Sequence, residues 1–333
     1  MSGGLDSSYA ALKLKEAGHT VEGACLVMHG YTDTDSAARA AEKLGIPLHI
    51  IDCRELFDKE VVENLVSEYK RARTPNPCIV CNPKVKFSEL LRAADEGGFD
   101  AIATGHYARI ARLTAGGGEY HAVMKALDAE KDQSYMLYRL PERILARLIL
   151  PLGDECKSDI RRRIRGGEFS SFDKKDSQEI CFIQGGDHAA YIEARSGPAE
   201  PGLFVDKDGT PLGEHKGIIR YTVGQRKGLG ISLGERAFIT KIDAESNRIT
   251  LESAPLLSDT LELSDVVLTG GAEKCFRAEV KIRYAARPAP ASVRILDGGG
   301  AEVRFDDLQR SVTPGQSAVF YLGDTVVGGG IIV

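Results

Sequence analysis

The first residues of the chain have the types and order expected of a phosphate-binding loop. Gly3 and Gly4 allow the backbone to approach a ligand closely and to adopt positive φ, and Ser2, Asp6 and Ser7 surround them. The segment that follows has helical spacing, so the serine hydroxyls and the backbone N–H groups at the helix N-terminus would face an anion. The loop is not a Walker loop, since no Gly-Lys-Ser/Thr follows. A polar turn that caps a helix would account for these residues equally well.

A second feature with chemical potential is a pair of thiols three residues apart. Cys78 and Cys81 follow two prolines, Pro75 and Pro77, and the prolines predict a stiff loop that presents both thiols. Such a pair can be half of a zinc site, a dithiol redox pair, or part of an iron–sulfur ligand set. Zinc is the least favoured of the three, because the sequence contains no second closely spaced pair of the same kind.

Cys181 is the candidate third thiol. It lies in a short apolar run that the polar, lysine-bearing segment 174–179 leads into, and a nearby lysine can stabilise a thiolate. A buried strand cysteine would have the same sequence context. Seven cysteines in a chain of this size do not suggest a disulfide framework. The remaining thiols are expected to be structural, and they are Cys25, Cys53, Cys156 and Cys275.

The composition excludes several protein classes. The 333 residues suffice for two or three domains. No apolar run is long enough to cross a bilayer, and the N-terminus lacks the charged-then-apolar pattern of a signal peptide. We therefore expect a cytoplasmic protein without a membrane partner. A net charge of −5 gives no overall attraction for nucleic acid, so local basic clusters must meet any RNA, although each cluster alone also fits a solvated surface. The clusters are Arg161, Arg162, Arg163 and Arg165; Lys70, Arg71 and Arg73; and Lys216, Arg220, Arg226 and Lys227.

Helices and strands alternate through the first part of the chain. This alternation predicts a parallel sheet covered by helices on both faces, with ligands at the carboxyl ends of the strands. A phosphate-binding loop in such a fold follows a central strand. We expect this first strand to be missing, because the sequence begins at Met1, immediately before the loop. The predicted helices are 7–17, 35–44, 57–70 and 87–95, and the predicted strands are 20–28, 47–52 and 101–104.

The character of the sequence changes near residue 195. Beyond it, short alternating runs are separated by Gly, Pro, Asp and Asn, which is typical of all-β domains. We therefore predict a catalytic α/β domain over 1–195, a small mainly-β central domain over 196–260, and a C-terminal β-domain over 261–333.

Several motifs occur together and in order along the whole chain. After the opening loop they are Thr74-Pro-Asn-Pro-Cys-Ile-Val-Cys-Asn82, Ala103-Thr-Gly-His-Tyr-Ala108, Lys131-Asp-Gln-Ser-Tyr135, Lys175-Asp-Ser-Gln-Glu-Ile-Cys-Phe-Ile183, Tyr221-Thr-Val-Gly-Gln-Arg-Lys-Gly-Leu229, Arg283-Tyr284 and Val312-Thr-Pro-Gly-Gln316. The opening loop itself resembles the PP-loop of ATP pyrophosphatases, which split ATP into AMP and pyrophosphate while adenylating a substrate. In this combination the sequence resembles the MnmA (TrmU) family of tRNA-specific 2-thiouridylases. The resemblance implies a PP-loop domain, a β-rich central domain that binds tRNA, and a C-terminal β-barrel.

The resemblance implies ATP-dependent replacement of the C2 oxygen of the wobble uridine by sulfur, in tRNAs for Lys, Glu and Gln. A urea-like C2 carbonyl is a poor electrophile with a poor leaving group. ATP must therefore first adenylate the C2 oxygen, with Mg²⁺ offsetting the phosphate charge. The residues implied for ATP are Ser2, Gly3, Gly4, Asp6, Ser7, Leu26 and Gly105.

The same resemblance implies how sulfur arrives and where tRNA binds. Cys181 matches the residue that carries a persulfide and Cys81 matches the nucleophile, and the two close a transient disulfide that a reductant reopens. Asn76, Pro77 and Cys78 match positions at the target base, which must be flipped out of its stack. A cysteine desulfurase or sulfur-relay protein is the implied sulfur donor, and a monomer suffices. The positions implied for tRNA contact are His106, Lys131, Asp132, Gln133, Arg283, Tyr284 and Gln316.

Cys78 is a departure from the family pattern, because many members carry Asp at this position. Cys78, Cys81 and Cys181 then provide three thiols, and family forms with this pattern resemble iron–sulfur proteins that hold a [4Fe–4S] cluster. A persulfide route with a spare thiol at Cys78 is the other reading. Two further functions also stay open, namely another PP-loop enzyme such as a synthetase or a tRNA lysidine ligase, and an RNA-binding protein that has lost catalysis.

Overall fold

The N-terminal part of the protein is an α/β domain, as the alternating pattern predicts. The computed structural model describes residues 1–115, 118–165, 180–231, 236–270 and 273–333. Two π turns occur in the helical segments, at Asp58–Val62 and Asn82–Lys86. The elements of this part are α1 (Leu5–Glu16), β1 (Gly23–Val27), α2 (Thr34–Leu44), β2 (Leu48–Asp52), α3 (Arg54–Phe57), α4 (Glu63–Lys70), α5 (Pro77–Cys81), α6 (Phe87–Gly97), β3 (Ile102–Ala103), β4 (Arg109–Ala115), β5 (Gly118–Met124), α7 (Glu142–Leu145), β6 (Leu148–Ile149), α8 (Lys157–Ile164) and α9 (His188–Ser196).

The parallel strands of this domain form two separate pairs. β1 and β2 pair in parallel along their whole lengths, and β3 pairs in parallel with β6. Within the described ranges, no strand bridges the space between the two pairs. The Met1 ammonium donates to the carbonyl oxygen of Ala24 on β1. Gly105, just beyond β3, contacts the start of α1, so the glycine loop and the carboxyl end of β3 share one edge of the domain.

Two helical segments differ from the predicted ones. The predicted helix 57–70 begins earlier, at Arg54, and contains a π turn, which hydrophobic periodicity does not reveal. The predicted loop around Cys78 and Cys81 is wrong, because both cysteines lie in α5, which continues through the second π turn into α6. Proline fits the first turn of a helix as well as a loop, since its missing N–H has no helical partner there. The other predicted elements are present, with ends displaced by three residues or fewer.

Two β-structures follow the α/β domain, in agreement with the predicted change of character. Their strands are β7 (Gly202–Val205), β8 (Pro211–His215), β9 (Phe238–Asp243), β10 (Arg248–Glu252), β11 (Leu257–Leu268), β12 (Cys275–Lys281), β13 (Ala289–Ile295), β14 (Ala301–Arg310), β15 (Ser317–Leu322) and β16 (Thr325–Ile332). The first structure is a four-stranded sheet in the order β8-β7-β10-β9. The second is a closed barrel formed by β11 to β16, in which β11 pairs with both β14 and β16.

The barrel is packed directly against the α/β domain. The hairpin of β4 and β5 extends the barrel sheet, because Met124 on β5 pairs with Thr325 on β16. The Tyr135 hydroxyl donates to the carbonyl oxygen of Ser317 at 2.9 Å, and the Tyr138 hydroxyl shares a hydrogen bond with the Ser317 hydroxyl at 3.0 Å. Both tyrosine rings lie in a hydrophobic core that includes residues of β15. These contacts fix the orientation of the barrel relative to the helices.

None of the described helices could serve as a transmembrane segment. The longest described α-helix, α1, has 12 residues and a polar face. A helix needs about 20 predominantly apolar residues to cross the hydrocarbon core of a bilayer.

Candidate active site

The glycine loop, residues 2–7, is held between α1 and α2. Gly3 adopts a φ of +71°, and a Cβ atom at this position would lie 2.7 Å from the backbone nitrogen of Ala37 in α2, so only glycine fits. Gly4 is the N-cap of α1, and the Ser7 hydroxyl accepts a hydrogen bond from the Ser2 N–H at 3.2 Å. The loop therefore presents hydroxyls and backbone N–H groups at the N-terminus of a 12-residue helix. This geometry fits the phosphates of ATP.

Gly105 brings the end of β3 against the glycine loop. A Cβ atom at this position would lie 2.6 Å from the carbonyl carbon of Asp6 and 2.9 Å from the nitrogen of Ser7. Leu26 lies on β1, and its side chain packs partly against the hydrophobic cluster that contains Cys81. Of the two positions predicted to contact adenosine, Gly105 thus lies against the glycine loop and Leu26 lies against the cluster that contains Cys81.

Asp6 is held by two residues that the sequence analysis did not identify. Its carboxylate accepts hydrogen bonds from the Tyr107 hydroxyl at 2.9 Å and from the Lys157 ammonium at 2.8 Å. Lys157 is only 5% exposed, and its ammonium lies 5.6 Å from the centre of the Tyr107 ring. A buried cation requires such partners. No local pattern marks this lysine, because the residue with which it pairs is 151 positions away.

α5 presents one exposed thiol and one buried thiol. The Asn76 side chain caps the helix by accepting a hydrogen bond from the Cys78 N–H at 3.1 Å, and Pro77 occupies the first turn. Cys78 is exposed, whereas Cys81 is only 7% exposed. The Cys81 thiol lies 3.8 Å from the sulfur of Met28, just beyond the carboxyl end of β1. The predicted nucleophile is therefore in the core, and the extra thiol of this chain is at the surface.

The ionisation of Cys81 is governed by its burial. Burial raises the pKa of the Cys81 thiol to about 12, and the nearby Lys86 ammonium and backbone N–H act in the opposite direction without offsetting the increase. Lys86 reaches Cys81 because the π turn places residue i+5 beside residue i. Sequence reasoning missed Lys86, since helical patterns are searched at spacings of three and four residues. The Cys81 thiol is protonated at neutral pH in the ligand-free protein.

Cys181 lies close to both cysteines of α5. It occupies a turn and is exposed, so the alternative of a buried strand cysteine is wrong. Cys78, Cys81 and Cys181 interact electrostatically with one another. Surrounding protein atoms raise the pKa of the Cys181 thiol by partial desolvation, and Lys86 opposes the increase. The lysines of segment 174–179, expected to stabilise this thiolate, lie outside the described residues.

The three thiols do not form a preassembled metal site. In the part of the chain that the structure describes, no group of three or more His, Cys, Asp or Glu side chains is placed to bind a metal ion. The Cys81 thiol packs against Met28 instead. Metal coordination itself deprotonates a thiol, so the protonation of Cys81 in the metal-free protein does not distinguish a [4Fe–4S] cluster from persulfide chemistry.

His106 connects the glycine loop with α5, the helix that carries Cys78 and Cys81 and is called the cysteine helix below. Its Nδ1 shares a hydrogen bond of 2.8 Å with the Thr104 hydroxyl, and its ring lies 5.5 Å from that of Phe87 at the start of α6. Burial lowers the pKa of His106 well below its usual value, and the Lys86 charge lowers it further. A neutral imidazole therefore stands next to Gly105. Its predicted contact with tRNA stays a prediction.

The turn at 131–133 contains three residues that are predicted to contact tRNA. Two of their side chains, those of Asp132 and Gln133, accept hydrogen bonds from the protein backbone. The Asp132 carboxylate accepts from the Ala126 N–H at 3.0 Å, and the Gln133 side-chain oxygen accepts from the Tyr107 N–H at 2.9 Å. These bonds hold the turn against the α/β domain. Asp132 and Gln133 therefore have a positioning role beside Lys131, whatever they contribute to RNA binding.

The barrel brings two further predicted tRNA positions towards the exposed thiol. Arg283 is exposed, and Tyr284 is 39% exposed with its ring 5.4 Å from the Lys281 ammonium. Partial burial raises the pKa of the Tyr284 hydroxyl, and the charges of Asp132 and Cys78 add to the increase. Tyr284 is thus near both the 131–133 turn and Cys78, as an RNA site at this thiol would require.

Gln316 contacts the backbone that leads into α5. Its Nε2 donates to the carbonyl oxygen of Thr74 at 2.6 Å, and the Thr74 N–H donates to the carbonyl oxygen of Pro314 at 2.8 Å. The Thr74 hydroxyl also donates to the Thr222 hydroxyl at 3.2 Å. The barrel, the central region and the cysteine helix therefore meet at Thr74.

Ion pairs partly neutralise the predicted basic clusters. An arginine that already pairs with a carboxylate contributes less net field towards a phosphate than an unpaired one. The pairs are Arg162 with Asp159, Arg163 with Glu155, Arg71 and Arg73 with Glu68, and Arg220 with Glu193.

Three family models cover nearly the whole chain. Residues 1–185 match the tRNA methyl transferase HUP domain, residues 190–252 match the tRNA methyl transferase PRC-barrel domain, and residues 258–332 match the aminomethyltransferase beta-barrel domain. This order agrees with the α/β domain, the four-stranded sheet and the closed barrel. The predicted fold class is therefore confirmed.

Curated relatives are similar to the chain from end to end. It is 42% identical over 350 residues to the tRNA-specific 2-thiouridylase MnmA of Clostridium beijerinckii, with 100% of this chain and 97% of the relative covered. For the protein of the same name from Clostridium botulinum (strain Alaska E43 / Type E3), identity is 41% over 353 residues, covering 100% and 96%. For that of Geobacter metallireducens it is 42% over 352 residues, covering 100% and 95%. Because this identity spans the glycine loop, the cysteine helix and both β-structures, the chain belongs to the MnmA family of tRNA-specific 2-thiouridylases.

Proposed function

We propose that this protein is a tRNA-uridine 2-sulfurtransferase, which uses ATP to replace the C2 oxygen of the wobble uridine with sulfur. The observation that carries the proposal is the placement of a phosphate-binding loop and three thiols on neighbouring elements. Gly105 touches the loop at Asp6, and His106, the next residue, packs on the helical segment that carries Cys81. An adenylated substrate and a nucleophilic sulfur would meet at this point, as adenylation followed by sulfur transfer requires.

ATP is assigned to the glycine loop. The close approach of Gly3 to α2 and the N-terminus of α1 form a cradle that an anion fills. Mg²⁺ bound with ATP would offset the phosphate charge, and the carboxylate of Asp6 is a suitable oxygen ligand for it. The assigned phosphate contacts are Ser2, Gly3, Gly4, Asp6 and Ser7, and the assigned adenosine contacts are Leu26 and Gly105.

Sulfur reaches the activated base through Cys181. As a persulfide, Cys181 attacks C2 through its terminal sulfur, and AMP leaves with the C2 oxygen. Cys81 then attacks the inner Cys181 sulfur; the bond to the transferred sulfur breaks, sulfur stays on C2, and a Cys81–Cys181 disulfide forms. Alternatively, Cys81 first releases the sulfur as hydrosulfide, with the same net result. The exposure of Cys181 supports its role as acceptor from a donor protein.

A [4Fe–4S] cluster on Cys78, Cys81 and Cys181 is the second candidate source of sulfur. The mutual proximity of the three thiols favours it, and the lack of a ready ligand group among the described side chains disfavours it. Anaerobic purification followed by iron and sulfide analysis separates the two routes. Active, colourless and iron-free enzyme supports the persulfide route, whereas about four irons per chain that are required for activity support the cluster.

The proposed partners and domain limits follow from the same assignment. The substrates are tRNAs for Lys, Glu and Gln, and the sulfur donor is a cysteine desulfurase or sulfur-relay protein in the cytoplasm, acting on a monomer. The catalytic, central and barrel domains are assigned to 1–195, 196–260 and 261–333. The target base is placed at Asn76, Pro77 and Cys78, and tRNA contacts at His106, Lys131, Asp132, Gln133, Arg283, Tyr284 and Gln316.

Mass spectrometry of tRNA from a deletion strain tests the function. Complementation with this gene should restore 2-thiouridine at the wobble position, and Cys81→Ser or Cys181→Ser should prevent it. Cys275→Ser is the matched control, because Cys275 is an exposed thiol on the barrel. Thiolation by the Cys81→Ser variant would contradict the mechanism. No thiolation by the wild type would favour another PP-loop enzyme or an RNA-binding protein.

A further inference from the structure

Cys78 and Cys81 are spaced for a disulfide within one helical segment. Residues i and i+3 of a helix have Cα atoms about 5 Å apart, which is within the range that disulfides span. Both cysteines lie in α5, one exposed and one buried. A bond between them therefore needs only a local adjustment of the first helical turn.

Cys181 is near the same pair. Phe182, the residue after Cys181, packs in the same hydrophobic cluster as Cys81. Each of the three thiols also interacts electrostatically with the other two, so a disulfide between Cys81 and Cys181 would leave Cys78 beside it. Cys78 also interacts with Tyr284 of the barrel, at the surface where the proposed RNA contacts gather. The extra thiol of this chain is thus the solvent-exposed member of the α5 pair.

We propose that Cys78 is a resolving thiol, whose thiolate attacks the Cys81 sulfur of the Cys81–Cys181 disulfide that sulfur transfer leaves behind. The Cys78–Cys81 bond forms, the Cys81–Cys181 bond breaks, and Cys181 leaves as a thiolate that takes up the proton released by Cys78. This exchange involves no net oxidation or reduction. It rests on the proposed function, because that function generates the starting disulfide.

The exchange has two consequences for turnover. It frees Cys181 to accept the next sulfur atom while the enzyme is still oxidised. It also moves the disulfide to a pair within one helix, so that a dithiol reductant can attack the exposed Cys78 without occupying Cys181. The reductant becomes a disulfide, and Cys78 and Cys81 return as thiols. Recovery through an intramolecular thiol is faster than direct reduction when the reductant is scarce.

The test is a time course of tRNA thiolation by persulfide-loaded enzyme with limiting dithiothreitol and a persulfide source. Each protein serves as its own reference, because Cys78 lies at the proposed target base and its substitution also affects the first turnover. The ratio of the later to the first turnover rate should be about tenfold lower in Cys78→Ser than in the wild type, and the two ratios should become equal at high dithiothreitol concentration. Peptide mapping after alkylation should find Cys78–Cys81 in the oxidised wild type and Cys81–Cys181 in the variant. Cys275→Ser should behave as wild type.

The outcomes separate this inference from the function on which it rests. Equal ratios of later to first turnover rates in wild type and Cys78→Ser at limiting reductant would overturn the resolving role. Loss of the first turnover in Cys78→Ser would also overturn it, by placing Cys78 in sulfur transfer or cluster binding. Failure of the wild type in its first turnover would overturn the proposed function itself.

A redox titration of the protein without tRNA gives a second readout that does not depend on activity. In buffers of oxidised and reduced dithiothreitol, peptide mapping of the wild type should detect the Cys78–Cys81 disulfide. Its absence over the whole range of potentials would overturn the proposal.

Discussion

The Nε2 atom of Gln316 donates a hydrogen bond of 2.6 Å to the carbonyl oxygen of Thr74, two residues before the cap of the cysteine helix. The barrel thus holds the backbone from which α5 starts. The Thr74 hydroxyl bonds to Thr222 as well, so the central region is connected to the same point. Packed interfaces shift as units, and an RNA that moves either β-structure would therefore move two of the three thiols.

Replacement of Gln316 by Ala should lower the rate of thiolation more than it lowers stability. The variant loses one hydrogen bond, which contributes about 1 kcal/mol to the free energy of unfolding. The start of α5 becomes less well positioned, so single-turnover thiolation at saturating tRNA should slow down while ATP affinity stays unchanged. Gln309→Ala is the control, because the half-buried Gln309 lies on β14 and its side chain donates to the carbonyl oxygen of Asp307 on the same strand. Equal rates in the two variants would remove Gln316 as a positioning residue.

Gly3→Ala should abolish ATP binding, whereas Gly4→Ala should leave the packing of the loop intact. At position 3 the new Cβ would lie 2.7 Å from the Ala37 nitrogen at a φ of +71°, and at position 4 the nearest atom is the Ser2 hydroxyl at 3.6 Å. The strain at Gly3 costs about 1–3 kcal/mol and displaces the loop from α2. Calorimetric titration with ATP measures the affinities, and thermal unfolding controls for folding. Equal affinities in both variants would contradict the role of Gly3.

Lys157→Met should impair adenylation. Without the cation, Asp6 retains the Tyr107 hydroxyl as a partner, and the Asp6 side chain is 34% exposed, so water compensates in part. We expect the free energy of unfolding to fall by about 1–2 kcal/mol. We expect tRNA-dependent AMP release to fall at least about tenfold, because the positive charge beside Asp6 of the proposed phosphate-binding loop is lost.

Lys13→Met is the matched control for this charge, since Lys13 on α1 pairs with Glu155 at 2.7 Å. Lys157→Arg should recover part of the AMP release. Normal AMP release by Lys157→Met would exclude Lys157 from the nucleotide site.

Local sequence patterns located the reactive residues but not the contacts that control them. Gly3, Gly4 and the two cysteines of α5 were identified from residue type and spacing alone. Lys157 was missed, because its partner Asp6 is 151 positions away and is brought close only by tertiary packing. Lys86 was missed because a π turn, rather than an α-helical turn, places it beside Cys81.

The fold was predictable in its class and less so in its details. Alternating helices and strands, followed by short alternating runs, correctly predicted an α/β part and two β-structures. The cysteine segment was misjudged, because Pro77 is compatible with a stiff loop and with the first turn of a helix, and only the Asn76 cap distinguishes them. The burial of Cys81 against Met28 depends on the packing of β1 on α5, which no local pattern contains.

Stability should fall above about pH 9 because of Cys81. Burial raises the pKa of its thiol to about 12, whereas the pKa of cysteine in an unfolded chain is about 8.5. Below the unfolded pKa both states keep the proton and the full stability is present. Above it, the unfolded state loses the proton first, so the free energy of unfolding falls by up to about 1.4 kcal/mol per pH unit until the folded pKa is reached.

Denaturant unfolding between about pH 8 and pH 10 measures this slope. Cys81→Ala should have a shallower slope than the wild type, and Cys275→Ala, which changes an exposed thiol, should keep the wild-type slope. A contribution from Cys53 should remain in all three proteins, since burial raises the pKa of that thiol to about 11. Identical slopes for wild type and Cys81→Ala would show that Cys81 is not the source.

Arg283→Ala should weaken tRNA binding and reduce its dependence on salt. Arg283 is exposed beside Tyr284 and makes no ion pair within the described part of the chain, so a phosphate can bind it without breaking an existing pair. Each phosphate contact contributes about 0.7–0.9 to the slope of log K against log salt concentration, so the slope should decrease by about one unit. Filter binding of tRNA at several salt concentrations measures it.

Arg277→Ala is the matched control for Arg283, because Arg277 lies on the same barrel but pairs with Asp306 at 2.5 Å. The paired guanidinium has less net charge to offer a phosphate, so this variant should retain nearly the whole salt slope. If Arg283→Ala keeps the wild-type slope as well, the barrel contributes no phosphate contact at this position. The electrostatic part of tRNA binding must then come from other basic residues, with the clusters of the α/β and central domains as the first candidates.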